Sequence, residues 1–234
     1  MIRSISREVL GALQAVDTPT ICNAIEAIEG RRRNDGFTRT PVVCARPEMP
    51  AIVGFAKTAT VRSDRPSDEA ATVTRERRLN YYRYVADGTQ PRLVVIEDVG
   101  EHPGLGAFWG EVNVALHKGL GLSGVLTSGS IRDLGAIDPG FQLLAGSIGP
   151  SHAFVHVTAF DAPVEVFGLA IRPGDLIHAD RHGAVIIEPG IETQLPHAID
   201  LVTRKEVPLL KAARAPGFSI DKLLSAWGEA EDVH

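Results

Sequence analysis

Leu93-Val-Val-Ile-Glu-Asp98, then Gly104-Leu-Gly-Ala-Phe-Trp-Gly-Glu111, then Ile131-Arg-Asp133 is the stretch that decides the fold. Its opening apolar run ends in two acidic residues and reads as a strand over 92–96, followed by a glycine-rich loop over 97–108. A helix is expected over 109–120, because Val112, Ala115, Leu116 and Leu120 recur on one face and Gly119 and Gly121 stand at its stop. A second strand over 124–127 completes a strand-helix-strand unit, the usual signature of a parallel crossover in an α/β fold. Loops at the carboxyl ends of such strands are where ligands bind. Two motifs fall there: one opens the helix, and the Arg132-Asp133 pair follows the second strand.

Outward from this unit, residues 6–15 give a helix with Val9, Leu10 and Leu13 inward. Asp17 or Thr18 caps a second helix with Pro19 in its first turn and Gly30 at its end. Residues 31–50 read as irregular, 51–61 as a strand, 64–68 as a loop and 79–86 as a helix. Beyond Phe141 the pattern changes to short strands at 154–160, 164–167, 176–178 and 184–188, with an Arg172-Pro-Gly-Asp175 turn between the middle two. These form a compact β region after the crossover. A long helix over 191–213, interrupted near Pro196 and Pro208, and a final helix over 220–230 close the chain. No linker divides the sequence, so residues 1–234 are expected to form one domain.

Composition narrows the function. A net charge of −5 provides no electrostatic footprint for nucleic acid, and the Arg31-Arg-Arg33 run reads as a solvated loop. No apolar stretch approaches the ~20 residues of a membrane span, and no signal segment opens the chain, so a cytoplasmic protein without membrane contact is expected. Cys22 and Cys44 lack metal or redox spacing and read as reduced structural thiols.

The glycine loop invites a dinucleotide reading, but G-x-G-x-x-G fails because the third glycine, Gly110, comes one residue late. A better reading starts from the helix. The amides of Glu111, Val112 and Asn113, expected to be unpaired in its first turn, can dock a small carboxylate, and Arg132 can grip the same group bidentately. Asp133 and Glu111 offer hard oxygen ligands for Mg²⁺ or Mn²⁺, which polarise a 2-oxo group. The same residues also suit a surface ion pair and a helix-dipole complement, and spacing leaves both readings open. None of His117, His152, His156, His178 and His182 has metal-ligand pairing; each reads as packed or solvated, with His152 and His182 the two candidates for substrate contact.

Glu111, 20 intervening residues and Arg132-Asp133 resemble the D-x20-R-D motif of class II pyruvate aldolases, which cleave 4-hydroxy-4-methyl-2-oxoglutarate and 4-carboxy-4-hydroxy-2-oxoadipate and belong to the family of the regulator of ribonuclease activity A. Val16-Asp-Thr-Pro-Thr-Ile-Cys-Asn-Ala24, Thr38-Arg-Thr-Pro41, Trp109-Gly-Glu111 and Arg172-Pro-Gly-Asp-Leu-Ile-His-Ala-Asp180 extend the similarity over about residues 9–215, leaving 216–234 as a helical tail. The resemblance implies a swivelling β/β/α fold in homotrimers or hexamers with sites between subunits, and a 2-oxo acid substrate cleaved, or oxaloacetate decarboxylated, through a pyruvate enolate. It makes Asp133 the direct metal ligand, Arg132 the clamp on the pyruvate carboxylate and carbonyl, and Glu111 the acid holding a water on Mg²⁺ or Mn²⁺. Gly110, Val112 and Asn113 then bind substrate, and Glu206 of a neighbouring subunit completes the water shell. The base is a water rather than a side chain. The chain departs from the motif with Glu for Asp at 111 and with Ser128-Gly-Ser130 for the usual Asp-Gly-Ala. A non-catalytic regulator of a ribonuclease and a sugar-acid dehydratase-like lyase are the alternatives.

Overall fold

The computed structural model describes residues 4–233. Helix α1 (Arg7–Gln14) starts on Ser6, whose hydroxyl accepts from the Val9 amide at 3.1 Å. Helix α2 (Thr18–Glu29) starts on Asp17, whose carboxylate accepts from Thr20 at 3.0 Å, and stops at Gly30 in the left-handed region, φ 66°. The choice between Asp17 and Thr18 thus falls on Asp17. The following segment is irregular apart from the two-residue strand β1 (Val43–Cys44). Arg31, Arg32 and Arg33 are ion-paired with Glu29, Glu26 and Asp35 around the end of α2.

Next come β2 (Ile52–Arg62), α3 (Ala71–Ala86), β3 (Arg92–Asp98), β4 (Ala107–Trp109), α4 (Glu111–Gly119), β5 (Leu122–Ile131) and β6 (Gln142–Ile148). Strands β2, β3, β5 and β6 lie side by side and parallel. Two expectations shift here. Helix α3 begins at Ala71 rather than near residue 79, because its first half has no apolar stripe for periodicity to detect. Trp109 is not helical: it ends β4, and α4 begins at Glu111 after Gly110.

The remaining strands are β7 (His156–Phe160), β8 (Val164–Val166), β9 (Leu169–Ile171), β10 (Leu176–Asp180) and β11 (Gly183–Ile187). They do not form the separate β region expected from the sequence. The long β2 pairs antiparallel with β10 along its first half and with β7 along its second, and β11 follows β10, so all three extend the main sheet. Only β8 and β9 stand apart as a hairpin. Helices α5 (Leu195–Arg214) and α6 (Ile220–Glu231) follow.

Every residue of β3 except Glu97 is buried, as a parallel strand covered on both faces requires. Val94 and Ile96 pack in the cluster containing Tyr81, Trp109 and Val114 of the α3/α4 side. Leu93 and Val95 face the opposite side with Val164, Val166 and Ile171. A third cluster, with Leu13, Ile21 and Leu195, packs α1, α2 and α5 against Val53 and Val185. A buried polar chain ties α2 to β10: Asp180 accepts from the Thr18 amide at 2.9 Å, and the Thr18 hydroxyl meets His178 Nδ1 at 3.0 Å. Burial alone would raise the Asp180 pKa, but hydrogen bonds from Thr18 and His182 outweigh it and hold the carboxylate below its ordinary value.

The buried side of α4 is not the one expected. Val114 and His117 are enclosed, whereas Val112 and Leu116 are 71% and 47% exposed. His117 Nδ1 lies 2.6 Å from the Asn113 carbonyl and therefore donates, which leaves Nε2, 2.7 Å from Tyr81 Oη, to accept the phenolic proton. Burial keeps this imidazole neutral and lowers its pKa from 6.5 to about 4. The unfolded chain takes up the proton near pH 6.5, so between that value and about 4 it binds more protons than the folded one, and stability falls as pH falls. Burial shifts His178 the same way. His117 alone is expected to remove about 2 kcal/mol between pH 7 and pH 5, read as a lower urea midpoint. His117→Gln should flatten that slope; an unchanged slope would show that the proton is taken up elsewhere.

Candidate functional site

The carboxyl ends of β3, β5 and β6 lie along one edge of the sheet. Pairing of β3 with β5 reaches only Ile96 and Thr127, and β4 then takes over beside β5, with Ala107 opposite Ser130 and Trp109 opposite Ile131. The chain between is folded around Asp98, which accepts from Ser63 Oγ at 2.8 Å and from the amides of Gly104 at 2.8 Å and Gly100 at 3.1 Å. The Asp98 amide donates to Ser128 Oγ at 2.9 Å, so Ser128, one of the departures from the aldolase pattern, serves the strand end. A methyl group at Gly106 would lie 2.4 Å from the His152 carbonyl, so glycine is required for β4 to approach the 149–153 loop.

This short strand sets the site. The Arg132 amide donates to the Trp109 carbonyl at 2.9 Å, which places the turn after β5 against the start of α4. Asp133 sits in the left-handed region at φ 58°, and its Oδ2 accepts from the Glu111 amide at 3.2 Å. It caps α4 from across the loop, since the N-cap residue Gly110 has no side chain to do so. Arg132 Nε is 3.5 Å from the same Oδ2. The amides of Val112 and Asn113 have no protein acceptor among the described residues. They lie in the first turn, where the helix dipole favours an anion. The Asn113 side chain is fixed by donating to the Phe108 carbonyl and accepting from Tyr82 Oη at 2.7 Å. Burial raises the Tyr82 pKa, which keeps that phenol a donor.

Gly110, Val112, Asn113, Arg132 and Asp133 together line a cavity of about 110 Å³, with His152 in its wall. The structure therefore brings together all but three of the candidate site residues named from the sequence. Glu111 touches Asp133 through its amide, while its side chain stands exposed at the helix start. Glu206 is exposed on α5, outside the cavity wall. His182 bonds to Asp180 in the β10–β11 turn and takes no part in the cavity. Phe108 and Val155 also line it and had no sequence signal, because each reads as an ordinary core residue.

The donor chemistry suits a hard, water-rich cation. No group of three His, Cys, Asp or Glu side chains able to enclose a metal occurs among the described residues. Mg²⁺ and Mn²⁺ need only one or two carboxylates and keep several waters, which Asp133 and the neighbouring Glu111 can support. A closed cage of the kind structural Zn²⁺ uses does not match this donor set.

The sequence matches the RraA-like profile, described as Aldolase/RraA, over residues 12–186. The chain belongs to the RraA-like family. Solved structures share its α/β fold. A protein from Pseudomonas syringae pv. tomato superposes with a TM-score of 0.70 at 21% identity, covering 96% of each chain. Streptomyces coelicolor RraAS2, described as an unusual member of the RNase ES inhibitor RraA family, gives 0.66 at 20% identity over 92% of this chain and 100% of that one. The RNA-processing inhibitor RraA from Thermus thermophilis gives 0.52 at 15% identity over 73% and 95%. No helix among the described residues is long and apolar enough to cross a membrane.

Proposed function

We propose that this RraA-like protein is a divalent-metal-dependent lyase that releases pyruvate from a 4-hydroxy-2-oxo acid or from oxaloacetate. The observation that carries this reading is the convergence of unpaired α4 amides, Arg132 and Asp133 on one small cavity. Arg132 and the Val112 and Asn113 amides bind the substrate carboxylate, and Asp133, with Glu111 through water, holds Mg²⁺ or Mn²⁺. When bound, the cation polarises the 2-oxo group and disperses the charge left by bond cleavage. Arg132 and the amides orient the acid so that its C3–C4 bond faces the open side of the cavity. From a 4-hydroxy-2-oxo acid, cleavage moves the 4-hydroxyl proton to a water held near Glu111, turns C4 into a carbonyl and leaves the bonding pair on C3; from oxaloacetate, C4 leaves as CO2 and the pair is again left on C3. Protonation at C3 gives pyruvate.

The assembly belongs to the same proposal. Leu105, Val112, Leu116, Leu134, Ile148 and Phe154 are exposed apolar residues from the loops and helix at this sheet edge, which supports a homotrimer or hexamer with sites at subunit boundaries. Glu206 of a neighbouring subunit is proposed to join the water shell there.

The test is pyruvate release, followed by coupled reduction, from oxaloacetate and a panel of 4-hydroxy-2-oxo acids with Mg²⁺, Mn²⁺ or Co²⁺. Cation-dependent release is expected. Absence of turnover across the panel would overturn the lyase reading and leave the regulator of a ribonuclease as the better account.

A further inference from the structure

A second, larger space adjoins the Arg132 cavity. It is a cleft of about 460 Å³ between α3 and the 154–157 segment, and Phe108, Asn113 and Val155 line both spaces. Helix α3 turns one face into it: Thr74, Arg75, Arg78 and Tyr82 fall at helical spacing and all line the cleft. The cleft has one acid, Glu69, already bound by both terminal nitrogens of Arg77. Arg75 and Arg78 have no carboxylate partner among the described residues. The cleft thus presents two uncompensated guanidinium groups beside an apolar wall of Phe108, Val155 and Val157. The first half of α3 lacks an apolar stripe because it borders this cleft and solvent; the helix buries only Tyr81 and Val85, in its second half.

We infer that Arg75 and Arg78 form a specificity subsite for an anionic group at the distal end of the substrate, whose 2-oxo acid end occupies the Arg132 cavity. The assignment of this group to the substrate rests on the pyruvate-lyase reading; an anion site on α3 stands on the cleft itself. Guanidinium groups bind carboxylate and phosphate alike through paired N–H donors, so the shared chemistry is a small oxyanion. The volume is in the range of small-molecule sites, and the two spaces are neighbours that share Phe108, Asn113 and Val155.

Two measurements separate the ideas. In the first, kcat/KM of the full chain is compared for 4-hydroxy-2-oxoglutarate, for its 5-methyl counterpart 4-hydroxy-2-oxopentanoate, and for a 5-phosphorylated homologue. One of the anionic substrates should lead the neutral one by about tenfold or more, mainly in KM, and Arg75→Gln with Arg78→Gln should erase that lead while keeping kcat on the neutral substrate. Which anionic substrate leads identifies carboxylate or phosphate as the natural group. In the second, calorimetry of the cation-free protein uses succinate and inorganic phosphate as probes, with the double Gln variant losing about tenfold in affinity and the double Lys variant retaining part of it. Both arginines are exposed, so these variants should fold as the parent does. Turnover with no anionic preference, or a preference untouched by the double Gln variant, would overturn the subsite while leaving the lyase reading intact. Arginine-dependent probe binding without any turnover would instead overturn the lyase reading and keep the anion site.

Discussion

Asp133→Asn should lower cation-dependent pyruvate release by roughly 10³-fold while leaving the fold in place. Asparagine keeps the shape of the side chain and an oxygen that can still accept from the Glu111 amide, so the start of α4 stays capped. It also tolerates the left-handed backbone found at this position, φ 58°. What disappears is the charge proposed to hold the cation. Asp133→Ala is a less clean probe, because it removes the cap, at about 1 kcal/mol, and puts a β-carbon residue with no local hydrogen bond into a left-handed conformation. A thermal midpoint within a few degrees of the parent, together with the fall in rate, would separate chemistry from folding. A rate for Asp133→Asn equal to that of the parent would remove Asp133 from the role assigned to it.

Gly110→Ala is the second large effect. Gly110 has an extended backbone that any residue adopts, so the substitution carries no conformational penalty of its own. Space is the whole issue. The new methyl would lie 2.4 Å from Asp133 Oδ2 and 3.1 Å from Arg132 Cγ, so the Asp133 carboxylate must shift and Arg132 must give way slightly. Displacement of this kind, near 1 Å, costs about 10²-fold in rate, with about 1–3 kcal/mol lost from stability through overpacking. Gly119→Ala at the other end of α4 is the control, since a methyl there meets nothing within 4 Å. It should be neutral or slightly stabilising. Equal activity in the two alanine variants would mean that the Gly110, Arg132 and Asp133 geometry is not used in turnover.

Much of the frame was legible because it rests on local rules. Asp17, Pro19 and Gly30 bracket α2 by capping chemistry that needs no tertiary information, and the short apolar run at 93–96 reads as a strand, which the structure shows buried on both faces. Strand β4 was not legible: three residues carry no periodicity, and Trp109 belongs to a strand solely because β3 ends early and leaves the edge of β5 open. That missed strand is what brings Arg132 to the start of α4, so the resemblance could name candidate residues but not say why they meet. The buried side of α4 misled for a different reason. Periodicity detects apolar side chains rather than buried ones; Val112 and Leu116 are apolar and exposed, while His117 is polar and enclosed by two hydrogen bonds. The polar face of α3 escaped in the same way, because residues that line a cleft look like solvated surface until the opposite wall is in place.

Arg132, Asp133 and the α4 amides are proposed to hold pyruvate in a state ready to lose and regain a proton at C3. Exchange of the pyruvate methyl protons in D2O, followed by proton NMR with Mg²⁺ or Mn²⁺ present, tests this without knowledge of the natural substrate. The protein should accelerate exchange in a cation-dependent manner, and Asp133→Asn should return it to the rate of the cation in buffer. Exchange at the buffer rate with the parent protein, at saturating cation and pyruvate, would contradict the account.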